Sequence, residues 1–224
     1  MTEKKENFDK LSSLALNEGM AVFGAADVTS ARNGFLIPNG AADSLDYGIS
    51  IGYRLSKSLL SSITDGPNQL YYFHYQRANI LLDQTALKLT AFIQRCGFNA
   101  LPVPASQVVD WEKQLGSVNH RQIARLAGHG WIGKNNLLVN PSFGSSLRFA
   151  TILTDMPLVT AVPSDEICGE CDLCARACPA NAITDTEYKL SACSDKLKEF
   201  IKTRRIGQMI CGVCVNVCPG KGGK

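Results

Sequence analysis

A chain of 224 residues, 45% hydrophobic and 19% charged, has room for one full domain and a smaller one and the composition of a protein that buries a core. Its net charge of +3 is too small to mark a nucleic-acid or membrane binder by itself, and no apolar run reaches the ~18 residues that span a bilayer. The polar opening "MTEKKENFDKLSS" lacks the apolar core of a secretory signal, so the sequence predicts a cytoplasmic address and reducing surroundings.

Residues 3–18 predict a helix with Phe8, Leu11, Leu14 and Ala15 on one face. "MAVFGAADV" (20–28) reads as a buried strand, and "YGISIGYRL" (47–55) as a second strand running into a helix. Asp65-Gly66-Pro67 is a turn signal. The longest helix covers 70–96, with Ile80, Leu81, Leu87, Leu89, Phe92 and Ile93 in register, and Gly97 stops it. "NALPVPAS" (99–106) is a short strand whose two prolines favour a sheet edge. "HRQIARLAG" is a brief helix, and "SLRFATILTD" (146–155) a strand rich in β-formers. The alternation predicts an α/β layer structure. At "TDMPLVTAVPSDE" the periodic pattern gives way to prolines and cysteines, which places a boundary near residue 160. Two domains are expected, 1–160 and 161–224, the second ending in the low-complexity tail "GKGGK".

Eight of the nine cysteines follow residue 167. Cys96 stands alone in "FIQRCGFN" and is expected to pack as a buried apolar thiol. Chain length and a reducing address disfavour a disulfide framework. Cys168, Cys171, Cys174 and Cys178-Pro179 form C-x2-C-x2-C-x3-C-P, the spacing in which three thiolates hold one [4Fe–4S] cluster and the fourth reaches its neighbour. Cys193, Cys211, Cys214 and Cys218-Pro219 supply the second set. The expected ligands are therefore Cys168, Cys171, Cys174 and Cys218 for one cluster, and Cys178, Cys193, Cys211 and Cys214 for the other. Zinc held by four cysteines competes, since it also uses C-x2-C pairs, but seldom three cysteines at these gaps followed by Cys-Pro. The intervening loop, "SDKLKEFIKTRRIGQMI", carries Lys196, Lys198, Lys202, Arg204 and Arg205. That run is either a solvated face or a docking surface for an acidic electron donor such as a flavodoxin or ferredoxin.

The segment "RLAGHGWIGKNNLLVNPSFGSSLRFATILTDMPL" (125–158) is, on chemistry alone, a glycine-rich turn that offers Lys134 and several amides to an anion, without a Walker pattern. Its Ala127, Gly128, Gly130, Trp131, Gly133, Lys134, Gly144, Ser145, Asp155, Pro157 and Leu158, followed by the two cysteine runs, resemble the epoxyqueuosine reductase family, to which reductive dehalogenases are related. The resemblance is specific from about residue 121 to 219. It implies a nitroreductase-like three-layer α/β domain followed by a ferredoxin-like double [4Fe–4S] module. It also implies a cobalamin between the two, reduced through the clusters and lined by Lys134, Leu138, Phe149 and the backbone around Gly212. His129, inside the glycine turn, is a further candidate to face that cofactor. A flavin in the α/β domain is the alternative.

Two departures bear on substrate. Gln114 stands where the family carries a proton-donating acid, so Asp110, Glu112 or His120 would have to substitute. The sequence ends six residues after Cys218, where the tRNA-modifying members continue into a helical domain, and the expectation is that tRNA is not bound. Of the remaining groups, His74 in "YYFHYQR" reads as a packed or capping residue, and Tyr71, Tyr72, Tyr75 and Arg77 as core and surface of one helix. The expected function is a reductase that relays electrons through two clusters to bound cobalamin. The alternative is an electron-transfer, corrinoid-reactivating or carrier protein without its own organic substrate.

Overall fold

The computed structural model describes residues 2–220, so the "GKGGK" tail beyond Gly220 lies outside the described residues. Helix α1 (Glu3–Asn17) has Glu3 and Glu6 in its first turn, where carboxylates meet the positive end of the helix dipole. Leu11 and Ala15, one turn apart, are fully buried, while Leu14 is 38% exposed. The inward stripe is therefore narrower than the periodicity alone suggests. Strands β1 (Val22–Asp27) and β2 (Tyr47–Arg54) pair antiparallel, with Val22 opposite Gly52 and Asp27 opposite Tyr47.

After the short α2 (Lys57–Leu60) comes α3 (Gln69–Arg95), followed by β3 (Ala100–Val103) and α4 (His120–Leu126). The buried stripe of α3 is Leu82, Ala86, Leu89 and Ile93, at spacings of four, three and four. Ile80 and Leu87, expected on that face, are 44% and 58% exposed. Cys96 lies just past the last turn of α3 and is exposed, which corrects the expectation of a buried thiol. Ile93 already takes the inward position at that end of the helix.

A two-stranded hairpin, β4 (Trp131–Ile132) and β5 (Leu138–Val139), precedes β6 (Leu147–Thr154). The main sheet runs in the order β1-β2-β6-β3, and β3 pairs antiparallel with β6, so Pro102 sits in an edge strand, where proline is tolerated. Alternation sorts the sheet's side chains between two cores. Ala25, Ile49, Ile51, Ala150 and Ile152 join Leu11 and the α3 stripe. Ala26, Val28, Val103 and Leu153 join Ile123 and Ala127 at α4.

The remaining helices are α5 (Leu173–Ala177), α6 (Leu190–Arg204) and α7 (Val213–Asn216). Two compact units are interleaved along the chain. One takes residues 2–53, Asn79–His129 and Arg148–Ser164; the other takes Arg54–Ala78, Gly130–Leu147 and residues 165–220. Sequence grammar instead marks a single boundary near residue 160. The difference has a local cause: residues 54–78 carry ordinary helix and turn composition, yet they pack against the cysteine-bearing segments. Arg204 pairs with Asp65 at 2.7 Å, Gln69 Nε2 donates to the carbonyls of Arg204 and Arg205, and Asn216 Nδ2 donates to the Ile63 carbonyl. Among the described residues, no helix is long and apolar enough to cross a membrane.

Candidate metal and redox site

Eight cysteines lie in the second unit, carried by short elements. Cys174 is on α5, Cys193 in the first turn of α6 and Cys214 on α7, and α5 packs directly on α7. The electrostatics sort the thiols. Burial pushes Cys174 up to about 11, reinforced by the neighbouring Cys218, Cys168 and Cys171. Burial likewise pushes Cys211 up to about 11, with Cys193 and Cys178 close enough to add to it. Cys214 is driven higher still by burial, then by Cys211 and Cys193, and Cys193 is raised by burial and by Cys178. The neighbourhoods are thus Cys168, Cys171, Cys174 and Cys218 on one side, and Cys178, Cys193, Cys211 and Cys214 on the other. Cys174 is the member that also reaches Cys214 across the two sets.

Among the described residues no three His, Cys, Asp or Glu converge as tightly as the ligands of one metal ion do. A cubane spreads its four thiolates over separate irons, so a shared neighbourhood of four is the arrangement it requires. Thiols raised this far stay protonated without metal, and binding must displace those protons.

Several donors already point at sulfur. The Trp131 indole N–H donates to Cys168 Sγ at 3.4 Å, and the Ala182 amide donates to Cys178 Sγ at 3.4 Å. The Tyr188 side chain hydrogen-bonds to Cys193. The glycine-rich segment explains itself here. Gly144 has φ +56, and a Cβ on it would lie 2.0 Å from the Cys218 carbonyl oxygen, so only glycine lets that turn run beside the second Cys-Pro. Lys134 pairs with Asp185 at 2.6 Å, which raises its pKa, and its charge also reaches Cys168 and Cys171. Lys134, Cys168, Glu170, Asp185, Glu187 and Tyr188 share the wall of an open cavity of about 740 Å³.

The other sequence-derived candidates do not gather. Leu138 is buried in β5, and Gly212 caps α7 at φ +86, against Ile63 and Tyr71. In the first unit, the His129 ring stacks on Phe149 at 5.8 Å, and its Nε2–H donates to the Ser50 carbonyl at 3.2 Å. Burial lowers His129 to about 4. His120 is held the same way: Nε2–H donates to the Pro104 carbonyl at 2.9 Å, Nδ1 accepts from Thr151 Oγ1 at 2.8 Å, and burial lowers it to about 4. It is therefore neutral near pH 7, with both nitrogens engaged inside the fold. Asp110 Oδ1 accepts the amides of Glu112 and Lys113 in a tight loop, Glu112 is exposed, and Gln114 sits at φ +54 with its Nε2 on the Trp111 carbonyl. His74 accepts the Ser56 amide at the start of α2, a capping contact.

The α6 cations are largely neutralised within their own surface, Lys196 by Glu199, Lys198 by Asp195 and Arg204 by Asp65. Lys202 and Arg205 remain exposed. Trp111, 70% exposed at the tip of the Asp110–Leu115 loop, is a surface feature that periodicity does not flag.

The four-stranded sheet packed with helices and the two neighbourhoods of four thiols define the class: a cysteine-rich protein of mixed α and β structure. The comparisons make this specific, for the chain is a homologue of epoxyqueuosine reductases. It is 41% identical over 113 residues to the epoxyqueuosine reductase of Cyclobacterium marinum, covering 46% of this chain and 36% of that one. The one from Listeria monocytogenes is 30% identical over 156 residues, 62% of this chain and 37% of that one. This chain thus spans about a third of the length of the curated relatives it matches. In fold it is similar to a reductive dehalogenase described for B12-dependent dehalogenation, with TM-score 0.77 and 18% identity over 97% of this chain and 32% of that one. It is also similar to an epoxyqueuosine reductase solved with an epoxyqueuosine-modified tRNA stem loop, with TM-score 0.66 and 19% identity over 96% of this chain and 65% of that one. No family model matches the chain.

Proposed function

We propose that the chain is an iron–sulfur reductase of the epoxyqueuosine reductase type, with two [4Fe–4S] clusters and a bound cobalamin. In this reading the nitroreductase-like corrinoid part lies within residues 1–160 and the ferredoxin-like part within 161–224, the latter packed with 54–78 and 130–147, and the protein works in the cytoplasm with a small electron-carrier protein as donor. The observation that carries it is the sorting of eight thiols into two neighbourhoods of four, each drawing its fourth member from the other cysteine run. The clusters would supply one-electron transfer and the corrinoid a strongly reducing cobalt. The chain's own residues do the rest. Cys168, Cys171, Cys174 and Cys218 hold one group, and Cys178, Cys193, Cys211 and Cys214 the other. The prolines after Cys178 and Cys218 would turn the backbone away from the crowded sulfurs, and burial of Cys174 keeps water off it. For the corrinoid, support comes from the B12-dependent relative of the same fold, and Lys134, Leu138, Phe149, Gly212 and His129 are its proposed contacts.

Substrate follows less directly. His120 is tied into the fold and Asp110 into its turn, which leaves Glu112 as the acid on the 110–115 loop whose carboxylate is turned to solvent. Whether that loop serves a modified tRNA or another acceptor is decided by assay. Anaerobically reconstituted protein is expected to carry close to eight irons and eight labile sulfides, the content of two cubanes. It should change the spectrum of titrated cob(II)alamin, and it should show little turnover of epoxyqueuosine-bearing tRNA. Zinc without sulfide would overturn the cluster reading, a featureless titration the corrinoid reading, and brisk turnover would make tRNA the substrate.

A further inference from the structure

We infer that Trp131 sets the reduction potential of the group held by Cys168, Cys171, Cys174 and Cys218; this rests on the two-cluster reading above. Trp131 is 4% exposed, and an indole N–H can only donate. A buried indole N–H is normally satisfied by a good acceptor. Here its partner is Cys168 Sγ at 3.4 Å. A thiol sulfur is a weak acceptor, whereas an iron-bound thiolate carries charge and makes a stronger, charge-assisted bond.

The surrounding backbone is shaped to hold that contact. Trp131 pairs with Val139 across the β4–β5 hairpin. At φ +145, Gly130 brings its Cα so close to the partner strand that a Cβ would lie 1.9 Å from the Val139 carbonyl oxygen. On the far side, a Cβ at Gly133 would lie 2.6 Å from Val139 Cγ2 and 3.3 Å from Cys168 Sγ itself. The G-W-x-G spacing thus lays the indole against sulfur with nothing between. Lys134 also faces Cys168 and Cys171, but Asp185 at 2.6 Å offsets its charge. The uncharged indole N–H is therefore the specific device at this set. The other set has its own donors, the Ala182 amide and Tyr188, so the effect of Trp131 is confined to one group.

One electron from an external reductant adds one negative charge to the group; no bond breaks and no proton moves. A donor hydrogen bond to its sulfur strengthens with that charge and favours the reduced form, raising the potential. Trp131→Phe keeps the aromatic packing and removes the donor. The test is a dithionite titration of reconstituted protein followed by electron paramagnetic resonance, after iron and sulfide are counted. The signal of the Cys168 set is identified by its perturbation in Cys171→Ser. In Trp131→Phe, the reduced-to-oxidised ratio of that group at a fixed potential is expected to fall roughly two- to tenfold, about the worth of one hydrogen bond, with the other group unmoved. Full iron content with neither group shifted, or with both shifted alike, would overturn the inference. Low iron in the unsubstituted protein would instead overturn the cluster reading beneath it. Should Trp131→Phe lose iron, the unsubstituted protein labelled with 15N-tryptophan decides. Pulsed resonance on its reduced form should show a nitrogen coupling that persists in Trp111→Phe, where Trp131 is the one remaining tryptophan; no coupling refutes the contact.

Discussion

His129 and His120 show how burial sets the chemistry of a single side chain. Each imidazole gives its Nε2–H to a backbone carbonyl, and burial lowers each from 6.5 to about 4. The unfolded chain therefore binds more protons than the fold between these values, so stability is greatest above about pH 6.5 and falls as pH drops towards 4. Each ring contributes a slope of up to about 1.4 kcal/mol per pH unit in that window. Urea unfolding between pH 7.5 and 5 measures this. In His129→Gln, which retains an N–H for the Ser50 carbonyl, the dependence should be shallower by close to one proton. An unchanged slope would mean that His129 is already charged in the fold. The sequence placed these residues beside the glycine turn and at a helix start, and both positions hold. It could not show that both rings turn into packed surroundings, because that depends on Ser50, Phe149, Thr151 and Pro104, far away in sequence.

The β4–β5 hairpin is one of the elements that the sequence reading passed over, with α5, α6 and α7; residues 194–210 read as a loop, yet Leu190–Arg204 is helical. Strands of two residues carry no periodicity, so "WIGKNNLLV" reads as a loop. What defines it is the close backbone approach at Gly130. Gly130→Ala would force a Cβ into the Val139 carbonyl as well as strain the backbone, and is expected to cost about 2–4 kcal/mol. Gly19→Ala is the control: it too has positive φ, +86, but nothing within 4 Å of its Cβ, and the cost should be only about 1–2 kcal/mol. Thermal unfolding of the two variants separates clash from backbone strain. Equal losses would mean that the hairpin relaxes freely. The longer elements were legible because their burial is periodic: α1, β1, β2, α3, β3, α4 and β6 all fall where the pattern put them. The phase of α3 was legible in part: Leu81, Leu89, Phe92 and Ile93 meet the core as the pattern has it, while Leu82 and Ala86 are buried in place of Ile80 and Leu87.

For the molecule as a whole, the crossed thiol sets make a prediction about connectivity. Cys178→Ala should disturb the group of Cys193, Cys211 and Cys214, and Cys218→Ala that of Cys168, Cys171 and Cys174. Iron analysis of double variants tests it through non-additivity. Cys178→Ala with Cys214→Ala should lose no more iron than either alone, whereas Cys178→Ala with Cys171→Ala should lose the sum. Additive loss in the first pair would break the assignment. Cys96→Ser, at an exposed site outside both sets, should leave iron content unchanged.

The sequence alone determined the cysteine spacing, the order of the main elements and the glycine segment that links the chain to epoxyqueuosine reductases. Each of these is written within a few turns of chain, where spacing and local conformation act directly. Tertiary structure decided the rest. It folded residues 54–78 and 130–147 in with the cysteine segments, exposed Cys96, turned Lys134 onto Asp185 and brought the Trp131 indole to Cys168. Those outcomes depend on pairings between residues tens of positions apart, whose partners are chosen by shape, burial and charge and leave no periodic mark in the chain.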